Sequence, residues 1–228
     1  MVLLAHLAVL SIMLMKSKGK IMLVKDAKNF GVISTKNTKM GSTTFAIDAF
    51  ACKVGSKLAK IEGTPCFTCY ARKIQKLRPS VDQGWKANLA KWEQSDPKDW
   101  IKAMAFQINR YCFDGFHRWF DSGDLQSVEM LDAICQVAKA TPQIKHWLPT
   151  QERGIVKQYS KAIPDNLIIR VSASMVNGDK PSFDHTSQVF YKVDPKGFEC
   201  GASKRGNACG PCKACWDKSI DFISYPKH

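Results

Sequence analysis

The sequence predicts an α/β fold in which βα units build a parallel sheet. The sheet would close completely or partly as a TIM-type βα barrel, with a metal-binding Cys knuckle at the C-terminal end. Three observations carry this. Short apolar runs alternate with amphipathic stretches at a spacing of about 25 residues, the period of a βα unit. Each run ends in a polar turn that leads into a helical pattern. Four of the nine cysteines, Cys200, Cys209, Cys212 and Cys215, crowd into the last segment. The implied division is an apolar extension over 1–20, an α/β catalytic domain over 21–198 and a Cys-rich segment over 199–228 packed on it.

Taken in order, residues 2–15 are almost all apolar but too short for a membrane span, and they lack the basic flank of a signal peptide. Short β-like runs follow at Ile21–Val24, Gly31–Thr35 and Thr43–Ile47. Helices are expected at Ala71–Leu77, Val81–Trp92 and Trp100–Tyr111, the last opened by an Asp96 cap and Pro97. Trp100, Met104, Ala105, Ile108 and Tyr111 form its core-facing stripe. The βα pattern then sets in. Strand 117–120 leads through Asp121-Ser122-Gly123-Asp124 into a helix over 127–139. Strand Ile144–Leu148 leads through Pro149-Thr150-Gln151-Glu152 into a helix over 152–162 capped by Thr150. Strand Leu167–Val171 leads into Ser172-Ala173-Ser174, and Gln188–Val193 is a further strand.

Side chains at the carboxyl ends of parallel strands converge on one rim, where α/β proteins place their chemistry. Asp121, Asp124, Thr150, Gln151, Ser172 and Ser174 all fall there. Asp121 and Asp124 are the candidate catalytic pair, with Gly123 between them leaving room for substrate to reach the backbone. Ser122, Gly123, Thr150, Gln151 and Ser172 are the candidate substrate contacts. The plainer alternative is that the two aspartates only make a turn and cap a helix.

The chain of 228 residues is 45% hydrophobic, enough for one substantial core. Its formal charge of +14 points to a polyanionic partner, and DNA is preferred over a membrane surface because no basic helix with a large apolar face is evident. An odd number of clustered cysteines argues for metal ligation in a reducing cytoplasm rather than for disulfides. Cys200, Cys209, Cys212 and Cys215 can close a tetrahedral shell around structural zinc, with an iron–sulfur cluster as the alternative. Cys66-x2-Cys69, with Cys52 as the nearest third, can hold a second metal or a cluster with one iron left open; buried free thiols are the plainer alternative.

The segments Arg118–Asp124 (RWFDSGD) and His146–Glu152 (HWLPTQE), with the terminal four-Cys knuckle, resemble the tRNA-guanine transglycosylases, and more closely the DpdA-type DNA-guanine transglycosylases of phages. The transglycosylase zinc site differs, having a Cys-x-Cys-x2-Cys core and a distal His. The resemblance implies exchange of guanine for a 7-deazaguanine base in DNA, protecting that DNA from restriction. One of Asp121 and Asp124 would attack C1′ and the other would move the proton. The target base would leave the stack. A second resemblance is to radical S-adenosylmethionine proteins, carried by Cys-x2-Cys-Tyr-Ala at Cys66–Ala71 and the second Cys group. Those proteins space their ligands as Cys-x3-Cys-x2-Cys, and the Cys52–Cys66 gap here is longer. A zinc-stabilised nucleic-acid-binding protein without catalysis is the non-enzyme expectation.

Overall fold

The structure, a computed structural model, describes residues 22–227. The apolar run 2–15 and the start of the Ile21–Val24 run lie outside the described residues. Seven strands form one sheet in which every pairing is parallel: β1 (Thr43–Thr44), β2 (Phe116–Arg118), β3 (Lys145–Thr150), β4 (Leu167–Ser172), β5 (Thr186–Phe190), β6 (Phe198–Glu199) and β7 (Phe222–Pro226). The order is β1-β2-β3-β4-β5-β7-β6, so the first five strands neighbour one another in chain order and β1 and β6 stand at the two edges. This order is compatible with a barrel-like or a Rossmann-like arrangement.

The helices are α1 (Val24–Ala27), α2 (Lys53–Leu58), α3 (Tyr70–Leu77), α4 (Pro79–Gln94), α5 (Pro97–Tyr111), α6 (Val128–Ala140) and α7 (Arg153–Gln158). Their ends follow local chemistry. The Asp96 carboxylate accepts from the Lys98 amide and Pro97 occupies the first turn of α5. The Ser127 hydroxyl accepts from the Met130 amide to start α6. The main core lies on one face of the sheet. Trp92, Trp100, Met104 and Ile108 from α4 and α5, and Met130, Leu131, Ile134 and Cys135 from α6, pack on Trp119, Leu148 and Leu167. Strand alternation sends Trp147 and Ile168 to the opposite face. There they meet Met40 and Trp216 in a second, smaller core.

That second face is covered by residues 200–221, the excursion between β6 and β7 that carries the four C-terminal cysteines. The boundary expected near 199 is therefore corrected: β7 belongs to the sheet, and the Cys-rich segment is a crossover within it. Arg170, fully buried on β4, anchors the crossover. Its guanidinium donates to the carbonyls of Ala214, Cys215 and Asp217 at 3.2, 3.1 and 2.8 Å. The Trp216 indole donates to the His117 carbonyl at 2.8 Å.

Other expectations are corrected in detail. Val24 opens a helical turn, and of the Gly31–Thr35 run only Ser34 pairs, as an isolated bridge to Thr44. Strand β2 ends at Arg118, because Phe120 takes a φ of 52° and turns into the main core beside Phe45. Thr150 is the last residue of β3 rather than a helix cap. Helix α7 stops at Gln158, and Tyr159 reaches across to donate to Asp132 at 3.0 Å. The last expected strand begins and ends earlier, at Thr186 and Phe190.

Replacing Arg170 by Met would keep much of the apolar stem and leave three buried carbonyls without donors. The expected loss is about 3 kcal/mol or more, read as a lower urea midpoint, because each orphaned group carries its own desolvation penalty. An unchanged midpoint would remove Arg170 from this anchoring role.

Candidate active site and cysteine centres

The carboxyl ends of β2 and β3 are joined by one buried carboxylate. Asp124 is 7% exposed. Its Oδ1 accepts from the Thr150 hydroxyl at 2.6 Å and from the Leu125 amide at 2.8 Å, and its Oδ2 accepts from the Gln151 amide at 2.8 Å. Burial drives its pKa up to about 7 against the pull of these three bonds, and the neighbouring Glu152 adds to the rise. The Thr150 hydroxyl in turn accepts from the Glu152 amide.

Asp121 sits apart from Asp124 in its bonding. It pairs with the Arg118 guanidinium at 3.0 Å and accepts from the Asn37 amide at 2.9 Å, and its carbonyl accepts from the Tyr70 hydroxyl at 2.7 Å. Arg118 also lies over the Trp147 ring at 4.7 Å. Gly123 does not leave the space first expected of it. Its φ is 81°, and a Cβ there would lie 2.3 Å from the Ile47 side chain, so the glycine lets the turn close onto Ile47. Ser122 is buried and its hydroxyl has no partner. Gln151 donates to the Ala173 carbonyl, and Ser172 bonds Ser187 at 3.1 Å and accepts on its carbonyl from Arg153.

The rim also receives the first cysteine group, and this the sequence reading did not foresee. After β1 the chain passes Cys52, α2 and the loop carrying Cys66 and Cys69, then enters α3. Glu152 reaches up from the end of β3 and accepts the Val54 amide at 2.7 Å, tying α2 to the rim. Lys53 donates to the Gln126 carbonyl from the other side. Gly55 lets α2 approach these thiols closely: a Cβ built there would lie 3.0 Å from the Cys52 Cβ, 3.7 Å from the Cys52 sulfur and 3.8 Å from the Cys66 sulfur. Burial pushes the Cys52 thiol far up, helped by Asp124, Cys69, Cys66 and Glu152, and pushes the Cys66 thiol up to about 12, helped by Cys69, Asp124 and Glu152 against Arg72. Three thiols from two segments thus share one neighbourhood with two carboxylates. Glu152, Tyr70 and Arg118 are the residues this site adds. Each lay inside a quoted motif, Arg118 in RWFDSGD, Glu152 in HWLPTQE and Tyr70 in Cys-x2-Cys-Tyr-Ala, but none of the three stood out there as a site residue.

The second cysteine group lies on the opposite sheet face. The Cys200 amide donates to Ser224 of β7 and the Cys209 amide to Lys39, while the Cys215 sulfur lies 3.2 Å from the Tyr225 hydroxyl. Burial pushes Cys215 up to about 12, with Cys200 adding to the rise. Cys209 is raised by burial, then by Cys200 and Cys212. Among the described residues no three His, Cys, Asp or Glu side chains already stand at metal-binding distances.

Beneath the rim, His117 and His146 are core residues. His117 bonds Thr43, while His146 accepts from the Trp119 indole at 3.2 Å and meets Thr141 at 2.8 Å. Burial lowers both pKa values, that of His146 to about 3.

A sequence profile for gene product 88, a family of phage proteins, matches residues 32–218. The chain belongs to the GP88 family. The match spans the first six strands, the first cysteine group and all four cysteines of the second. No curated protein and no solved structure matches the chain. Among the described residues no helix of this GP88 protein is long and apolar enough to cross a membrane.

The buried groups set a pH dependence. His117 and His146 stay neutral in the fold and each takes a proton on unfolding below about 6.5. Asp124 opposes them, since it holds a proton in the fold up to about 7 that an unfolded carboxyl has lost above 3.8. Between about 4 and 6.5 unfolding takes up two protons and releases one, so stability falls as the pH drops through that window. The melting temperature should decline from pH 6.5 to 5 and decline more steeply in Asp124→Asn, where the opposing group is gone. Flat profiles in both proteins would contradict the burial of these imidazoles.

Proposed function

We propose that this GP88 protein is an iron–sulfur enzyme that cleaves S-adenosylmethionine reductively, with Cys52, Cys66 and Cys69 holding the cluster. The observation that carries the reading is the gathering of these three thiols over the carboxyl ends of β2 and β3, beside Asp124 and Glu152. The donor set fits the group. Three thiolates without a fourth local cysteine leave one iron of a four-iron cluster free, and Gly55 keeps side-chain bulk out of the space beside two of the sulfurs. With a cluster bound, the chemistry supplied is one-electron cleavage of the C5′–S bond of S-adenosylmethionine by an external low-potential reductant, giving methionine and an adenosyl fragment that takes a hydrogen atom from substrate.

The chain's own residues prepare the site. Glu152 fixes α2 and so the height of Cys52 above the rim. Asp124 locks the β2 turn to β3. Ser122, Gln151 and Arg153 bring buried polar atoms without partners to the same ends of the strands, and these suit the amino-acid and ribose portions of the nucleoside. The parallel sheet with its neighbouring-strand order supports a partial βα barrel as the frame. The four C-terminal thiols, fixed between β6 and β7, suit structural zinc or a second cluster. Nine free cysteines suit a reducing cytoplasm.

A second reading, guanine exchange for 7-deazaguanine in DNA, keeps one supporting observation. Asp124 is a rim carboxyl whose pKa of about 7 suits proton shuttling. Against it as nucleophile stand the three hydrogen bonds on Asp124 and the Arg118 pair on Asp121.

Anaerobic reconstitution with iron and sulfide tests the first reading. The expected product is a brown protein with about four irons in the rim site, which forms 5′-deoxyadenosine from S-adenosylmethionine and dithionite. Cys66→Ala with Cys69→Ala, and separately Gly55→Val, should lose that iron and that product while keeping the fold. Protein that takes up zinc only, forms no 5′-deoxyadenosine and exchanges labelled guanine into DNA would establish the second reading instead.

A further inference from the structure

We propose that the Cys66–Cys69 loop and α3 form a docking platform for single-stranded nucleic acid at the edge of the rim site. This goes beyond the reading above and does not require a cluster. The first observation is exposed apolar surface. Ile61, Phe67, Tyr70, Ile74 and Leu77 are 50, 50, 54, 37 and 68% exposed. Tyr70, Ile74 and Leu77 follow helical spacing, and Phe67 extends the line by one turn toward the cysteines. Met175 joins this face, touching Gly63.

The second observation is charge. Residues 53–78 carry seven cations (Lys53, Lys57, Lys60, Arg72, Lys73, Lys76 and Arg78) and one acid, Glu62. Arg72 and Lys76 are held over the Phe50 ring at 4.6 and 5.7 Å. Asp48 and Asp82 are engaged by Gln75 from the inner side of α3, and Asp121 is paired with Arg118 at the rim end of the line. Aromatic and apolar faces set among cations match what a single strand offers, stacked bases beside a phosphate backbone.

A membrane surface fits less well. Such binding sinks a helix by its apolar face into the headgroup region. Here α3 is eight residues long, its inner face is tied down through Gln75, and the Tyr70 hydroxyl is bonded to the Asp121 carbonyl. The apolar line therefore runs into the rim of a site rather than onto a free convex surface. A polymer lying along it would deliver a nucleotide to Asp121 and the cysteines.

The test is fluorescence anisotropy of the full chain with labelled oligo(dT), the matching RNA and a duplex of equal length, over a salt series, with iron-loaded and iron-free protein. Single strands should bind more tightly than duplex. Lys73→Ala with Lys76→Ala should reduce the logarithmic salt slope by about 1 to 1.5. Phe67→Ala should weaken binding about tenfold at an unchanged slope. Lys98→Ala with Lys139→Ala, exposed lysines on other helices, should leave binding unchanged. Melting curves would confirm that each variant folds. Equal binding by the platform variants and wild type would overturn the proposal. So would binding of phosphatidylserine vesicles, lost in the same variants, without binding of single strands. Single-strand binding by protein that takes up no iron would leave this inference standing and remove the cluster reading. Iron with no binding would do the reverse.

Discussion

A single buried carboxylate holds the working end of this molecule together. Parallel strands leave their last amides and carbonyls unpaired at the carboxyl edge, and a turn leaving that edge must satisfy them or remain open to water. Asp124 closes two such ends at once, taking the Leu125 amide of its own turn and the Gln151 amide and Thr150 hydroxyl beyond β3. Glu152 repeats the device one step further out by taking the Val54 amide of α2. Through these two side chains the loop after β1, the turn after β2 and the end of β3 become one unit. The position of Cys52, at the start of α2, is tied to that unit through the Val54 amide.

The opposite face of the sheet is built on a different principle. A buried guanidinium is costly unless its donors are used, and Arg170 uses Nε and Nη2 on three carbonyls of the crossover that carries the cysteines, leaving Nη1 without a partner. Trp216 then completes the small aromatic core with Trp147 and Phe116. The crossover is thus fixed by polar and aromatic contacts before any metal is considered. The four thiols it carries lie in one neighbourhood, though among the described residues they do not stand at ligand distances. If the crossover holds the proposed zinc, the last closure would come with the ion, as expected where binding free energy contributes to folding.

Much of the frame was legible because periodicity reports burial directly. Helices α5 and α6, their Asp96 and Ser127 starts and strands β2 to β5 follow from apolar spacing and cap chemistry. Strands β6 and β7 did not, because β6 is two residues long and β7 follows a glycine- and lysine-rich stretch that hides its pairing with β5. Of the site, the membership of Asp121, Asp124, Thr150, Gln151 and Ser172 at one rim was readable from topology. Their bonding was not. Nothing in the spacing tells that Asp124 is spent on three hydrogen bonds, or that Gly123 is required by Ile47. Cys52, Cys66 and Cys69 were readable as one candidate ligand set, but their place over the rim was not, because it depends on α2 and the following loop folding back, a tertiary event tied down by Glu152 some hundred residues later.

The charge distribution gives these parts a common sense. The chain as a whole is strongly basic, and the platform beside the site is its cationic edge, so at long range the field draws a polyanion toward α3. At short range the sign reverses. Asp121, Asp124 and Glu152 line the rim, and the three thiols would add negative charge if they held the proposed cluster. A phosphate that followed the field would be stopped at α3, where Lys73 and Lys76 can neutralise it. Only an uncharged portion of the same polymer, a base or a sugar, could pass the acidic rim without a desolvation penalty. If the proposed platform binds a single strand, two zones of opposite sign joined at Tyr70 would hold its phosphates outside the rim and admit its uncharged groups.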